Sequence, residues 1–314
     1  MSGPLLPSTR CGDSATDGRV CAVVVTYNRP ALLRACLLAI QAQARAVDLV
    51  LVVDNASTDG TREMLRAEFP GATVLALAAN GGGAGGFHAG MKWGYGRGYD
   101  WLWLMDDDAR PAPDCLARLL AHARPDRVLV PLQRDSAGRT YGINIWQKRH
   151  VEATAAVVSE GQPVSGPFLF AFVGPLIARG VVAQVGLPNK DFFIWFDDYE
   201  YGLRIQSRTN AVIVVVPDAL IYHDYGEKTR QVRFLGRHSN RSEQLPWKTY
   251  YGTRNTLYTL TRTRRYPHEL FLFFLVQFRV LIMDLAYGPA RRERVRMRLL
   301  GFRDGAIGRL GRRI

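Results

Sequence analysis

Cysteine is scarce in this chain: four residues in 314 (Cys11, Cys21, Cys36, Cys115), far apart and with no CxxC or CxxH pair. That spacing excludes a zinc cluster or redox dithiol, suits a reducing compartment, and leaves the thiols as packing residues. A secretory signal is missing as well. Residues 1–18 are rich in Ser, Gly, Pro and Asp with no apolar segment, and read as a flexible leader, so export is not expected. No clean apolar run reaches spanning length, because Leu270–Ala286 carries Gln277, Arg279 and Asp284. Charges at mid-bilayer cost about 2.5–3.5 kcal/mol each on insertion scales, which argues against crossing. Internal repeats and low-complexity blocks are also lacking, so repeat architectures drop out.

What remains is ordinary soluble composition, 47% hydrophobic and 22% charged, in enough chain for one large domain or two modest ones. The formal charge of +13 is unevenly placed. Residues 1–218 hold 21 basic and 21 acidic side chains, whereas residues 219–314 hold 20 and 7, so the whole excess lies in the last stretch. Two functional regions follow, one at 19–225 and a basic, mainly helical one at 226–314.

In the first region, β-rich runs alternate with helical stretches. Val20–Thr26, Leu49–Asp54 and Thr73–Leu77 read as strands; Pro30–Gln43 and Asp59–Phe69 read as helices. Nearly continuous Val and Leu runs separated by helix-length segments predict a mostly parallel α/β sheet covered on both faces. A glycine run, Gly81 to Gly86, precedes a helix and then the strand Trp101–Met105, which ends in Asp106-Asp107-Asp108. Ligands of open α/β sheets collect at the carboxyl ends of strands, where Asp54 and the three aspartates fall.

Consecutive aspartates repel one another unless a cation neutralises them, and their hard oxygens suit Mg²⁺ or Mn²⁺. Acidic residues starting a helix are the plainer alternative. A second acidic group, Asp197-Asp198-Tyr199-Glu200, follows Phe192-Phe193-Ile194-Trp195-Phe196. Carboxylates against bulky apolar groups are candidates for a raised pKa and general-base work, and equally for capping the helix Tyr199–Gln206. His223 follows the strand Ala211–Val216 closely and is a candidate metal ligand. Gly81, Gly83 and Gly86 also spell G-x-G-x-x-G with Asp106 downstream, nominally a dinucleotide fingerprint. Two strand-helix units precede it, and a ribose-binding acid needs no flanking aspartates, so an NAD-dependent oxidoreductase is a weak rival.

Taken together, Val23-Val24-Val25-Thr26-Tyr27-Asn28-Arg29-Pro30, Val52-Val53-Asp54-Asn55-Ala56-Ser57-Thr58-Asp59-Gly60-Thr61 and Trp103-Leu104-Met105-Asp106-Asp107-Asp108 resemble the opening, second-strand and DXD motifs of family 2 glycosyltransferases with the GT-A fold. The resemblance covers about residues 20–225. Within that family, Asn80 to Phe87, Phe193 to Glu200, Ala219 to His223 and Lys248 to Asn255 are similar to segments of the bacterial galactofuranosyltransferases that initiate mycobacterial cell-wall galactan. Rhamnosyltransferases using dTDP-rhamnose share part of this vocabulary and are the first alternative.

The resemblance implies an inverting, metal-dependent enzyme that moves galactofuranose from UDP-galactofuranose to a polyprenyl-diphosphate-linked glycan in cell-wall or surface polysaccharide synthesis. It implies that Thr26, Asn28, Arg29, Asp54 and Asn80 hold the donor nucleotide. Asp106 and Asp108 flank the diphosphate, with Asp106, Asp108 and His223 as metal ligands for Mn²⁺ or Mg²⁺. Asp198 is the base, Trp195, Asp197 and Glu200 line the acceptor side, and Arg254 meets a diphosphate. Where that group has Gly-Asp-Glu, this chain has Phe196-Asp197-Asp198, so its base is the shorter acid.

The apolar stretch Leu270–Ala286 followed by Arg291, Arg292, Arg294, Arg296 and Arg298 reads as a surface anchor on an anionic leaflet. The expected setting is the cytoplasmic face of the cell membrane, with an oligomer interface as the other use of that helix. The arginines lack the interleaved stacking aromatics of RNA modules, so no nucleic acid is expected. A non-catalytic membrane- or RNA-binding module is the alternative of a different class.

Overall fold

Val20–Thr26 is buried at every position and forms β1 at the heart of the sheet. In this computed structural model the described residues are 18–141, 143–145, 161–224, 229–234, 237–242, 245–263, 267–287 and 290–314. Cys11 and the expected leader, Gly18 apart, lie outside them. β1 runs parallel to β2 (Leu49–Asp54) and β4 (Trp101–Asp106), and β2 parallel to β3 (Thr73–Ala76). The crossovers are α1 (Pro30–Gln41), α2 (Thr61–Glu68) and α3 (Gly82–Gly96). Then come β5 (Arg110–Pro111), α4 (Cys115–Leu120), β6 (Arg127–Arg134), β7 (Leu176–Ala178), α5 (Arg179–Val185), α6 (Asp197–Arg208) and β8 (Val212–Tyr222). The sheet order is β3-β2-β1-β4-β7-β6-β8-β5, with β8 parallel to β6 and β7 antiparallel between β4 and β6. The predicted α/β class and its mostly parallel sheet are present. Cys21, Cys36 and Cys115 are free and buried, as packing residues should be.

Two local features differ from the sequence expectation, and both bear on the site. The helix α3 begins inside the glycine run, at Gly82, and lies very close to the sheet. A Cβ on Gly86 would sit 2.4 Å from Val25 Cγ1, on Gly90 2.3 Å from Val23 Cγ1, and on Gly94 2.6 Å from Leu102 Cδ2. The strand expected to stop before Pro217 continues to Tyr222 instead, with a register irregularity between Val216 and Leu220 that absorbs the proline. That extension carries His223 to the site.

The basic region is helical as predicted, in α7 (Pro246–Arg262), α8 (Pro267–Ala286) and α9 (Arg291–Ile307). At its start, Thr229–Phe234 and Arg237–Ser242 form an antiparallel hairpin. Gly301 and Gly305 let α9 press on α7, since a Cβ at either would lie 2.7 Å from a backbone oxygen, of Tyr250 and Arg254 respectively. Asp284, one of the charges that argued against a membrane span, is buried and paired with Arg298 at 2.8 Å. Among the described residues no helix is long and apolar enough to cross a membrane.

Candidate active site

The parallel register sets Thr26 beside Asp54 and Val25 beside Asp106, so three strand ends deliver polar side chains to one edge of the sheet. Thr26 Oγ1 donates to Asp107 Oδ2 at 2.7 Å. Asn28, at φ +54°, links the first two strand ends: its backbone N–H donates to Ser57 Oγ, and its Oδ1 accepts from the Thr58 N–H at 2.8 Å. Asp54 is fully buried. Burial opposes its ionisation, but hydrogen bonds from Ser57 and Arg62 outweigh that and hold the carboxyl below its usual range. Arg62 Nε lies 2.5 Å from Asp54 Oδ2, a contact that sequence reading missed, since an arginine on a solvated helix gives no signal. Asn80 Oδ1 accepts from the Gly82 N–H, shaping the entry to α3.

At the end of β4 the acidic cluster is close. Arg29 Nη1 lies 3.3 Å from both Asp107 Oδ1 and Asp108 Oδ2. His223 Nε2 faces Asp108 Oδ1 at 3.2 Å. Burial, with Asp108 and Asp107 alongside, pushes Asp106 well above the usual carboxylate range, and Asp197 from the second acidic group adds to it. Burial also raises Asp107 in spite of Thr26 and Arg29. Asp108 goes the other way: burial disfavours its charge, but the hydrogen bond and charge of His223 keep it low. Asp107, absent from the predicted site residues, is the member of the cluster that ties β1 to β4.

These donors accommodate a divalent cation in a particular way. Among the described residues no three His, Cys, Asp or Glu side chains close on one point. Asp108 and His223 supply one oxygen and one nitrogen within reach of each other, while burial disfavours the charged form of Asp106, the third expected ligand. Two protein ligands, with the rest from substrate diphosphate and water, is the usual way Mg²⁺-type ions are held at nucleotides, so the donor set fits.

The second acidic group starts α6. Burial raises Asp198 to about 6, its Oδ1 accepting from the Tyr199 N–H at 2.7 Å. Asp197 is raised well above its usual range, by burial first and then by Asp198. The approach to these acids is strained: Phe193, Trp195 and Phe196 have φ of +67°, +70° and +70°. Non-glycine residues held there cost on the order of 1–3 kcal/mol each and persist only where their surroundings fix them.

Two predicted residues have partners within the protein. Glu200 is paired with Arg204 on its own helix, at 2.8 and 3.0 Å. Arg254 is fully buried, and its guanidinium donates to the oxygens of Gly311, Asp191 and Phe192 and to Asn255 Oδ1. With its donors spent inside the protein, it does not face a diphosphate.

Comparison with known proteins bears on the family and the fold. Residues 21–173 match the family model described as Glycosyl transferase family 2. The chain is 31% identical over 305 residues to galactofuranosyltransferase GlfT1 of Mycolicibacterium smegmatis, covering 91% of this chain and 97% of that one. It is 24% identical over 303 residues to the dTDP-rhamnosyl transferase RfbF of Shigella flexneri, covering 94% and 98%. A solved structure of GalNAc-T7 with UDP, GalNAc and Mn²⁺ shares the fold at a TM-score of 0.57 and 16% identity, over 92% of this chain and 56% of that one.

Proposed function

The chain belongs to glycosyltransferase family 2, and on that premise we propose that it moves galactofuranose from UDP-galactofuranose, with inversion, to a hydroxyl of a polyprenyl-diphosphate-linked glycan. The 31% identity to galactofuranosyltransferase GlfT1 over 91% of this chain supports the sugar, and the division of labour among the acids supports the chemistry. Asp108 is held ionised beside His223, while Asp198 is raised to about 6 at the start of α6. One carboxylate is suited to a cation and the other to taking a proton near neutral pH.

Thr26, Asn28, Arg29, Asp54 and Asn80 hold the nucleotide, with Asp54 toward the uracil. Asp198 accepts the proton of the acceptor hydroxyl as its oxygen bonds to the anomeric carbon. The bond from that carbon to the diphosphate oxygen breaks on the opposite face, and UDP leaves with the electron pair. Trp195 and Asp197 lie on the acceptor side. Asp108 and His223 would hold Mn²⁺ or Mg²⁺, which when bound offsets charge on the departing diphosphate.

A lipid-linked acceptor stays in the leaflet, and the surface of α8 suits work there. Phe271, Leu275, Phe278 and Leu285 are each more than half exposed along one stripe. Beside them a groove of about 670 Å³ is lined by Leu285, Val295 and Leu299 together with Arg291, Arg292 and Arg296. Apolar side chains next to arginines support docking on an anionic leaflet without crossing it.

The test is turnover of UDP-galactofuranose with a polyprenyl-diphosphate disaccharide, followed by the anomeric configuration of the product by NMR. Inverted product formed with Mn²⁺ or Mg²⁺ and not with EDTA is expected. Turnover with dTDP-rhamnose alone would sink the donor assignment.

A further inference from the structure

The strained loop before α6 is held from two sides. Asn255, on α7 and fully buried, donates through Nδ2 to the carbonyl oxygens of Phe192 (3.1 Å), Ile194 (2.9 Å) and Trp195 (2.7 Å). Its Oδ1 accepts from Arg254 Nε at 2.8 Å, and Arg254 itself donates to Phe192 O at 2.8 Å and Asp191 O at 3.2 Å. Residues 308–314 complete the brace. Gly311 O accepts from Arg254 Nη1 at 2.6 Å, and the Gly311 N–H donates to Asp191 O at 2.7 Å. On the other side, Phe193 O accepts from the Ala84 N–H at 3.1 Å, at the start of α3. A Cβ on Gly82 would sit only 2.0 Å from that oxygen, so loop and glycine segment are in tight contact.

All five carbonyls along Asp191–Trp195 thus have donors outside the loop, Phe193's on α3, and the next residues are Phe196, at φ +70°, and the acids. We propose that Asn255, braced by Arg254, is a positioning residue for Asp198: it locks the backbone that aims the base and sets it against the donor-side helix α3. The basic helical region is then part of the catalytic apparatus as well as a surface. The proposal rests on the assignment of Asp198 as base.

The isosteric change Asn255→Asp keeps the acceptor for Arg254 and the side-chain volume but removes the donors to the loop. It should lower kcat at least 10-fold while UDP affinity, measured by calorimetry in Mn²⁺ buffer, stays within 2-fold and the protein remains folded. If Asn255→Asp does not fold, removal of residues 311–314 loosens the same brace more gently and should give the same kcat-selective loss. An unchanged kcat overturns the proposal. So does a loss of UDP affinity in step with kcat, which would mark Asn255 as a general structural residue. Asp198→Asn run in parallel separates the premise: if it retains turnover, the base assignment fails and the proposal falls with it, whereas an inactive Asp198→Asn beside a fully active Asn255→Asp overturns the positioning role alone.

Discussion

Asp108 and His223 meet at 3.2 Å, Oδ1 to Nε2, although one follows β4 and the other follows β8, with β7 and β6 between those strands. The contact depends on β8 continuing past Pro217. It predicts that UDP with Mn²⁺ protects the protein against thermal unfolding more than UDP with EDTA, because ligand bound to the native state raises Tm. Asp108→Ala and His223→Ala should each erase that metal-dependent increment. A Tm increment that survives both changes would place the cation elsewhere.

Asp198→Asn should lose about 10²–10⁴-fold in turnover, the range of a general base. It should also gain stability at neutral pH. The folded-state pKa of Asp198 is raised to about 6, above the ordinary value near 4. The native state therefore binds this proton more tightly than the unfolded chain, and the group's contribution to stability declines as pH rises from about 4 to 6. Asparagine carries no such penalty, so the variant should be more stable by on the order of 1–3 kcal/mol at pH 7.5, with the advantage shrinking toward pH 4. Urea unfolding at the two pH values measures it, and a variant less stable at pH 7.5 would contradict a desolvated Asp198.

The wild-type enzyme should show the same group in its kinetics. kcat/KM should fall on the acid side with an apparent pKa near 6, the protonated Asp198 being unable to take the acceptor proton. An acid limb well below pH 5 would point to a solvated carboxylate.

The strand ends and their acids were legible because they obey local rules: Val and Leu runs stop at a polar residue, and in a parallel sheet those stops line up. Asp54 and Asp106 follow from that alone, whereas Thr26 was named through the family resemblance. Arg254 was misplaced for a physical reason, since an arginine that satisfies backbone carbonyls inside the protein has the same sequence signature as one that awaits a phosphate. Asn255 was missed because its partners, Phe192, Ile194 and Trp195, are distant in the chain and are brought to it by the packing of α7; Arg62 is near Asp54 in the chain but, as an arginine on a solvated helix, gave no signal. Pro217 misled in the opposite sense, as a bulge can carry a strand through a residue that usually ends one.

The glycines of α3 differ in whether close packing needs them. Gly90→Ala would drive a Cβ to 2.3 Å from Val23 Cγ1 and 3.0 Å from Val53 Cγ2, overpacking the α3–sheet contact. Overpacking typically costs about 1–3 kcal/mol. Gly83 has nothing within 4 Å of its would-be Cβ, so Gly83→Ala should be neutral or stabilising by up to about 1 kcal/mol. Chemical denaturation of both variants is the check, and equal destabilisation would mean that the close approach of α3 is not what the glycines serve.

Membrane docking makes a prediction that isolates α8 from the chemistry. Phe271 and Phe278 are 60% and 65% exposed, and Leu275 lies between them on the same stripe. Each such side chain gains about 1.5–3 kcal/mol when fully withdrawn from water, and partial insertion gives a share of that. Replacing all three with serine should weaken sedimentation with phosphatidylglycerol vesicles at least 10-fold while turnover on a short, water-soluble acceptor is retained. Wild-type binding should also weaken as salt rises, since the Arg291, Arg292 and Arg296 surface acts through screened charge. A triple variant that binds vesicles normally but changes from dimer to monomer on a sizing column would assign the stripe to contact between two copies of the chain instead.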